Sequence, residues 1–330
     1  IYMKKIVILG GGFAGSYCAK QLEKKFEVTL VDSKDHFEFT PGILRTIVNL
    51  NYAKKITLPY KNFLKKTKIV LGKVKKVDKT EIIIDSKKIK FDYLVITSGS
   101  EYKSQIKNKN MILPNRLKIL EDSYKKIKST QKIIILGGGL VGVELAGEII
   151  SKYPTKHITL VHSREKLIPR NSEKTSKKVF YFLKEKGVQI RLNEKIKKIK
   201  GDGLVFFCTG ISPNLQFINK NLIDKKGIIV NEFMQVKDKK NIFAGGDVTN
   251  IPEEKTAQNA ERQAQIVVNN ILALEKNLPL KKYQSKERPM IISLGKNYGV
   301  LEYKNFILTG LIPAILKWII EKKTMLMMRI

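Results

Sequence analysis

The chain has 330 residues, 43% of them hydrophobic, and 63 lysines and arginines stand against 30 aspartates and glutamates, a net charge of +33. The hydrophobic fraction is that of a globular protein, and this length supports two domains with cores of their own. The charge has two interpretations. It either attracts anionic lipid or nucleic acid, or reflects lysines spread over every exposed surface. No segment monopolises the charge, which favours the second interpretation.

Two cysteines, Cys18 and Cys208, are too few for a disulfide framework, so the sequence favours a reducing, cytoplasmic compartment. Cys18 falls in a helical pattern and Cys208 in a buried-strand pattern, and both are expected to be small core residues. No secretory signal is predicted, because the apolar residues 6–9 run straight into a glycine turn without a cleavage-site pattern.

The first elements predicted along the chain are a strand over residues 5–9, a helix over 14–25 and a strand over 28–31. A GxGxxG turn joins the first two. Gly10 permits the tight turn, Gly12 lets a pyrophosphate approach the backbone, and Gly15 lets the helix pack closely. The helix N-terminus offers free N–H groups to phosphates, and Asp32 offers a carboxylate to a ribose diol. The sequence therefore predicts a dinucleotide site.

The same pattern recurs in the second half, with a strand over 133–136, a GxGxxG turn from Gly137 to Gly142, a helix over 140–151 and a strand over 158–161. A helix over 172–186, strands over 188–192 and 203–207, and a helix over about 256–274 follow. Two dinucleotide sites in one chain are typical of a protein that passes electrons between two bound dinucleotides.

Two small-residue turns, Thr97-Ser98-Gly99 and Gly245-Gly246-Asp247, complete the series. In this order the four motifs resemble the FAD-dependent pyridine nucleotide-disulfide oxidoreductase superfamily over nearly the whole chain. The resemblance implies an α/β fold of two Rossmann-like domains with a small C-terminal amphipathic region. It implies an FAD domain formed by residues 1–103 and 238–278, an NAD(P)H domain over 104–237, and a C-terminal region over 279–330.

The resemblance also implies which residues bind the cofactors, with no metal site expected. For FAD they are Gly10, Gly12, Phe13, Ala14, Gly15, Asp32, Lys34, Thr97, Ser98, Gly99, Gly246, Asp247 and Ala257. For NADH or NADPH they are Gly137, Gly139, Leu140, Val141, Gly142, His162, Ser163, Arg164, Thr209 and Gly210. Between Lys195 and Val205 the chain lacks the three-stranded insertion usual in the family, so the second domain is expected to be trimmed.

Residues 36–44 lack the cysteine pair that disulfide reductases of this fold need, which excludes thiol–disulfide exchange. Two branches without cysteine chemistry remain. Residues 36–44 and 257–263 resemble the type II, non-proton-pumping NADH:quinone dehydrogenases. Residues 153–163 and 293–300 resemble the ferroptosis-suppressor and apoptosis-inducing-factor-like group. Both resemblances imply two-electron transfer from NAD(P)H through FAD to a quinone.

Three further residues are assigned to the reaction. Glu144 matches the family glutamate near the nicotinamide and flavin, and it is expected to orient the nicotinamide and to relay protons toward the quinone; the alternative is a solvated helix carboxylate. Gln258 is expected to donate to a quinone carbonyl, and Arg262, four residues later, to line the same mouth. His162 replaces the acidic residue that would repel a 2′-phosphate, so NADPH is expected to be accepted through the donors and positive charge of His162, Ser163 and Arg164.

Within residues 311–323, apolar residues recur at helical spacing with Lys317, Glu321 and Lys322 between them. This pattern predicts an amphipathic helix in the plane of a membrane surface; a core or dimer helix is the alternative. The expected partners are a membrane quinone and an anionic lipid surface on the cytoplasmic face, with a homodimer as an option and no specific nucleic acid. A nucleic-acid-binding flavoprotein and a soluble NAD(P)H oxidase remain as alternative functions.

Overall fold

The computed structural model describes residues 3–102, 106, 111–196 and 202–329. Its largest sheet has five parallel strands, in the order β16 (Ile242–Ala244), β9 (Tyr93–Ile96), β1 (Lys5–Leu9), β2 (Glu27–Asp32) and β5 (Lys68–Leu71). One sheet therefore takes strands from two distant parts of the chain. The strands β1, β2 and β9 of this sheet are almost entirely buried and rich in isoleucine, valine and leucine, as expected for a parallel sheet covered on both faces.

A second sheet has four parallel strands, in the order β13 (Gln189–Arg191), β12 (His157–Val161), β11 (Lys132–Leu136) and β14 (Leu204–Phe207). In each sheet an inner strand, β1 or β11, is flanked by the strand that follows it and by a later one. Both inner strands end at a glycine turn. Ligands bind at the carboxyl ends of such sheets where the strand order reverses, so each sheet presents one such position.

Seven α-helices are described: α1 (Phe13–Leu22), α2 (Ala53–Ile56), α3 (Leu113–Ser129), α4 (Leu140–Lys152), α5 (Glu173–Glu185), α6 (Ala257–Leu274) and α7 (Leu311–Arg329). Hydroxyl groups cap two of them, because Ser172 and Thr256 accept the N–H of Thr175 and Asn259. The predicted elements of both glycine-turn units are present, with ends shifted by one to three residues. The sequence did not predict α3, where isolated apolar residues are set among lysines.

Short antiparallel strands complete the fold. They are β3 (His36–Glu38) with β4 (Thr57–Pro59), β6 (Val74–Val77) with β7 (Glu81–Ile84) and β8 (Lys87–Lys90), β10 (Ser100–Tyr102) with β15 (Ile211–Pro213), and β17 (Met290–Ser293) with β18 (Gly299–Tyr303) and β19 (Phe306–Gly310). A 3₁₀ helix over Thr40–Ile47 follows β3. The expected trimming between Lys195 and Val205 falls partly on residues 197–201, outside the described residues.

A fully buried ion pair joins α3 to β3. The guanidinium Nε of Arg116 lies 2.7 Å from Oε2 of Glu38, and its Nη2 donates to the Ile106 carbonyl at 2.6 Å. Both side chains are almost completely excluded from solvent. A charge buried this deeply is stable only while its partner remains, because the lone charge would have to be desolvated without compensation.

Replacement of Arg116 by methionine, which keeps the aliphatic stem and removes the charge, should lower the free energy of unfolding by about 3–5 kcal/mol. Urea denaturation at a fixed FAD concentration measures the change. Lys125→Met is the matched control, because Lys125 forms an exposed pair with Glu121 on the same helix and should unfold at the wild-type urea concentration. Equal losses in the two variants would contradict this account of the buried pair.

Candidate functional site

A cavity of about 1490 Å³ is lined by both glycine turns, by the turn after β16, and by α6 and α7. Most of the predicted cofactor residues line it. For FAD these are Gly12, Phe13, Ala14, Lys34, Thr97, Gly99, Gly246, Asp247 and Ala257. For NAD(P)H they are Gly137, Gly139, Leu140, Val141, His162, Ser163, Arg164, Thr209 and Gly210. Glu144 and Gln258 line it too, so one space brings together both nucleotide sites and both predicted catalytic residues.

The two glycine turns are built alike. Gly10 and Gly137 have positive φ angles of +93° and +114°, and a Cβ on either would lie within 2.5 Å of a backbone carbonyl oxygen, that of Thr97 or Cys208. Only glycine fits there. The third glycine of each turn, Gly15 or Gly142, lies behind the cavity wall. A Cβ on it would come 1.8 Å from the carbonyl oxygen of the first glycine.

The middle position of each GxGxxG motif faces open space. A Cβ on Gly12 or Gly139 would meet nothing within 4 Å, and these glycines are the N-caps of α1 and α4 without a side-chain cap. The first N–H groups of both helices are therefore free to bind an anion, and each helix dipole favours negative charge there. Each turn thus fits the pyrophosphate group of a dinucleotide.

A side chain at the end of the second strand of each unit binds the glycine turn. It is Asp32, the last residue of β2, in the first unit and His162, which follows β12, in the second. Oδ2 of Asp32 accepts the N–H of Gly11 at 2.6 Å, and Nδ1 of His162 accepts the N–H of Gly138 at 3.1 Å. Asp32 also accepts from Lys34 Nζ at 2.6 Å and from the Tyr60 hydroxyl at 2.7 Å. Burial alone would raise the pKa of Asp32, but Lys34 and these hydrogen bonds outweigh it and lower that pKa.

The predicted positive charge at His162 is wrong. A ring nitrogen that accepts an N–H carries no proton, so the imidazole that accepts from Gly138 is neutral. Burial, together with the nearby charge of Arg164, lowers the pKa of His162 and keeps it neutral at physiological pH. The positive charge at this edge of the cavity comes from Arg164, whose exposed side chain lines the wall beside Ser163.

In the turn after β9, Thr97 and Ser98 bind different parts of the structure. Thr97 Oγ1 donates to the Gly10 carbonyl at 2.8 Å and so holds the first glycine turn. Ser98 is turned away, because its hydroxyl donates to the Asn214 carbonyl at 3.0 Å and its carbonyl accepts from the Asn214 amide at 2.9 Å. Ser98 therefore connects the two halves of the chain and does not line the cavity.

The Gly246-Asp247 turn is held by α6 and β10. Oε1 of Gln263 accepts the Gly246 N–H at 2.7 Å, and Ser100 Oγ donates to Asp247 Oδ2 at 2.7 Å. Arg262 also turns away from the cavity, contrary to the prediction for the quinone mouth. Its guanidinium donates to the Gln284 carbonyl at 3.2 Å and stacks over Tyr283. Of the two residues on α6 that were predicted to contact the quinone, Gln258 lines the cavity and Arg262 does not.

Glu144 is paired with a residue that the sequence did not indicate. Its Oε1 accepts from Lys317 Nζ of α7 at 2.6 Å and from the backbone N–H of Ser293 at 2.9 Å. Both members of the ion pair line the cavity. The two residues are 173 positions apart, and Lys317 stands in a helix whose charged positions read as a solvent face, so no local pattern pointed to the pair.

A second cluster of buried polar side chains lies next to this ion pair. Arg45 Nη2 lies 2.9 Å from Oε1 of Glu148, one turn along α4 from Glu144, and the Tyr52 hydroxyl donates to Glu321 of α7. Burial would lower the pKa of Arg45, but Glu148 outweighs it and raises that pKa. Burial and Glu321 raise the pKa of Tyr52. These contacts tie α4, the 3₁₀ segment and α7 into one unit beside the cavity.

Neither cysteine forms a disulfide, and the two differ in burial. Cys18 lies fully buried in α1, where burial raises the pKa of its thiol far from the range of a reactive thiolate. Cys208 is not the core residue that the pattern suggested, since it follows β14, is half-buried and lines the cavity.

Comparison with known proteins places this geometry in a family. The model of the pyridine nucleotide-disulphide oxidoreductases matches residues 4–264. Apoptosis-inducing factor homolog B of Dictyostelium discoideum is 32% identical over 351 residues, covering 91% of this chain and 89% of that protein. Ferroptosis suppressor protein 1 of Mus musculus is 31% identical, with 94% and 92% covered.

Solved structures share the fold at low sequence identity. NDH2 of Plasmodium falciparum, in complex with NADH, superposes with a TM-score of 0.82 at 16% identity, covering 98% of this chain and 95% of that one. The sulfide:quinone oxidoreductase of Aquifex aeolicus gives 0.83 at 19% identity, covering 99% and 91%. Together with the two dinucleotide turns, these matches establish that the chain belongs to the pyridine nucleotide-disulphide oxidoreductase family and is an NAD(P)H-dependent flavoprotein oxidoreductase that uses FAD.

Proposed function

We propose that the protein is an NAD(P)H:quinone oxidoreductase that works at a membrane surface. The observation that carries the proposal is the part of the cavity lining that belongs to neither dinucleotide turn. Beyond the two dinucleotide turns, the cavity is lined by Gln258 of α6 and by Lys317, Ile320 and Thr324 of α7. The outer face of α7 is apolar, so an acceptor dissolved in lipid would have a short way to the cavity.

The outer face of α7 carries the strongest support for membrane contact. Leu311, Ile312, Ile315, Trp318, Ile319, Leu326 and Met327 are each about half exposed. The inner face carries Lys317 and Glu321, and Glu321 is only 4% exposed. The helix is therefore amphipathic as the sequence predicts, but two of its charges point inward and its apolar residues outward. A row of exposed apolar side chains of this size is typical of an interaction surface.

The occupant that fits this surface is a lipid bilayer. Among the described residues no helix is long and apolar enough to cross a membrane. Lys322 and Lys323 are exposed beside the apolar row, and cations near an anionic leaflet contribute roughly 1 kcal/mol each. Trp318 suits the interface between headgroups and acyl chains. We propose the cytoplasmic face as its location, which the two cysteines without a disulfide support.

The assignment of residues to the cofactors is part of the proposal. The first glycine turn and α1 would hold the FAD pyrophosphate, Asp32 the adenosine ribose and Asp247 the ribityl chain. The second turn would hold NAD(P)H. The domain division at 1–103 with 238–278, 104–237 and 279–330 agrees with the strand membership of the two parallel sheets. Bound FAD would supply the two-electron redox chemistry between nicotinamide and acceptor.

The chain's own contribution is position and charge. Lys317 holds the Glu144 carboxylate in one place on the cavity wall, and Ser293 fixes the same oxygen from the other side. Hydride transfer needs the nicotinamide and flavin rings to lie in register with water excluded. A fixed carboxylate at the nicotinamide end would orient the nicotinamide ring without forming a covalent bond to it. Gln258 offers an amide donor at the acceptor end. One solved structure with the same fold is named for a quinone, the sulfide:quinone oxidoreductase of Aquifex aeolicus, which supports a quinone as that acceptor.

Removal of the lysine charge tests the site. Lys317→Met leaves Glu144 without its cation, and we expect kcat for reduction of a quinone analogue to fall about tenfold, or about 1.4 kcal/mol. Stopped-flow bleaching of the flavin by NADH and NADPH, followed by reoxidation with menaquinone and ubiquinone analogues, measures both half-reactions. Lys152→Met, at the exposed end of α4, is the control. Failure of both nucleotides to bleach the wild-type flavin, or reoxidation by oxygen alone, would sink the proposal.

Arg164 should decide how well NADPH is used. The neutral His162 does not repel a 2′-phosphate, and the neighbouring Arg164 offers that phosphate a cationic partner. In Arg164→Ala we expect KM for NADPH to rise about tenfold, the cost of one lost charge-assisted contact, while KM for NADH stays within about twofold. Lys174→Ala, exposed on α5, serves for comparison. A wild-type enzyme that discriminates against NADPH by a hundredfold would contradict this role.

The apolar face of α7 should hold the protein on vesicles. The double variant Ile315→Ser and Ile319→Ser removes two half-exposed isoleucines from that face, and we expect vesicle affinity to drop roughly tenfold or more. Flotation with vesicles measures binding, and the difference between anionic and neutral lipid gives the electrostatic contribution to that binding. Tyr181→Ser alters an equally exposed apolar residue on α5. Undiminished flotation of the α7 variant would rule out this surface.

A further inference from the structure

The acceptor end of the cavity, where Gln258 lies, also carries a carboxyl group, that of Glu261. Glu261 lies on α6, three residues after Gln258 and so on the same side of the helix. Both residues line the cavity, and the Glu261 side chain is half-buried. Ile320 and Thr324 of α7 line the same space, so the group lies where an acceptor entering beside α7 would arrive.

The Glu261 carboxyl has no hydrogen-bond donor and no ion-pair partner among the residues that the structure describes. The cations on neighbouring elements are engaged elsewhere. Lys317 of α7 pairs with Glu144, Arg262 donates to the Gln284 carbonyl, and Lys20 of α1 donates to the carbonyls of Met327 and Met328. The titratable group that faces Glu261 from α1 is the phenol of Tyr17, which adds no positive charge.

The isolation of Glu261 favours the protonated form of its carboxyl group. Burial without a compensating cation disfavours the carboxylate, and it raises the pKa of Glu261 above its ordinary value. Carboxyl groups whose pKa is moved toward neutrality serve enzymes as proton donors. Glu144 differs from Glu261 in its contacts, because it accepts from Lys317 and from the Ser293 N–H.

Quinone reduction needs such a donor. A quinone becomes a quinol by taking up two electrons and two protons, whereas the hydride from NAD(P)H brings two electrons and one proton. We propose that Glu261 delivers the second proton to the quinone oxygen from the α6 wall of the cavity. The carboxyl O–H bond breaks as the quinol O–H bond forms, and the carboxylate then regains a proton from water. In sum, NAD(P)H, one proton and the quinone give NAD(P)⁺ and the quinol. This inference rests on the proposed function.

The kinetic test uses Glu261→Gln in the FAD-loaded protein, because glutamine keeps the size and polarity and removes the acidic proton. With decylubiquinone as the acceptor, kcat should fall about a hundredfold, the lower range for general acid catalysis. In the wild type the rate should decline as rising pH deprotonates Glu261, and the variant should lose that limb. Glu261→Asp should restore it. Glu185→Gln, exposed on α5, should behave as the wild type.

A spectroscopic test needs neither NAD(P)H nor quinone. Infrared difference spectra of the oxidised protein between acid and alkaline pH should show a deuterium-sensitive carbonyl band of a protonated carboxyl group at neutral pH, and Glu261→Gln should lack it. A band unchanged in the variant overturns the proposal. So does a variant that reduces quinone with the wild-type rate and pH profile. A wild type that reduces no quinone overturns the proposed function and the role of Glu261 with it, whether or not the band is present.

Discussion

The absence of a side chain at Gly15 and at Gly142 is the constraint on which the site depends. Each helix begins so close to its own turn that a single added carbon would lie 1.8 Å from a carbonyl oxygen. This approach aims the free N–H groups at the N-termini of α1 and α4 into the cavity. The anion-binding ends of two helices from two separate sheets therefore meet the same space, and the two dinucleotides that they suit would lie within reach of one another.

The two turns have the same geometry and different chemistry. A carboxylate binds the first turn and a neutral imidazole the second, and each accepts the N–H of the glycine that follows the first glycine of the motif, Gly11 or Gly138. Asp32 is further tied to Lys34 and Tyr60, which makes the first turn the more heavily cross-linked of the two. Such cross-linking suits a cofactor that stays bound, whereas the simpler fastening at His162 suits a nucleotide that comes and goes.

The sequence predicted what depends on neighbours along the chain. The glycine turns, the strands before them and the residues Asp32 and His162 follow from local spacing, and the structure has them within one to three residues. It could not predict contacts between distant segments. The pairing of Glu144 with Lys317, the burial of Glu321 and the turning away of Arg262 all depend on how α7 and the segment after α6 pack. Helix α3 was missed although its buried residues, Arg116, Leu120, Ser123 and Ile127, recur at helical spacing, because two of them are polar and do not add to an apolar face.

The inward charges of α7 have a mechanical consequence. Lys317 and Glu321 are bound to α4 and to Tyr52, and Lys20 of α1 holds the last carbonyls of the helix. The helix cannot swing out into a bilayer as a flexible tether would without exposing buried charges to hydrocarbon. If its apolar face rests on lipid, the whole enzyme is held at a fixed height and tilt. A molecule leaving the bilayer would then cross about one helix diameter, roughly 10 Å, to reach the cavity wall.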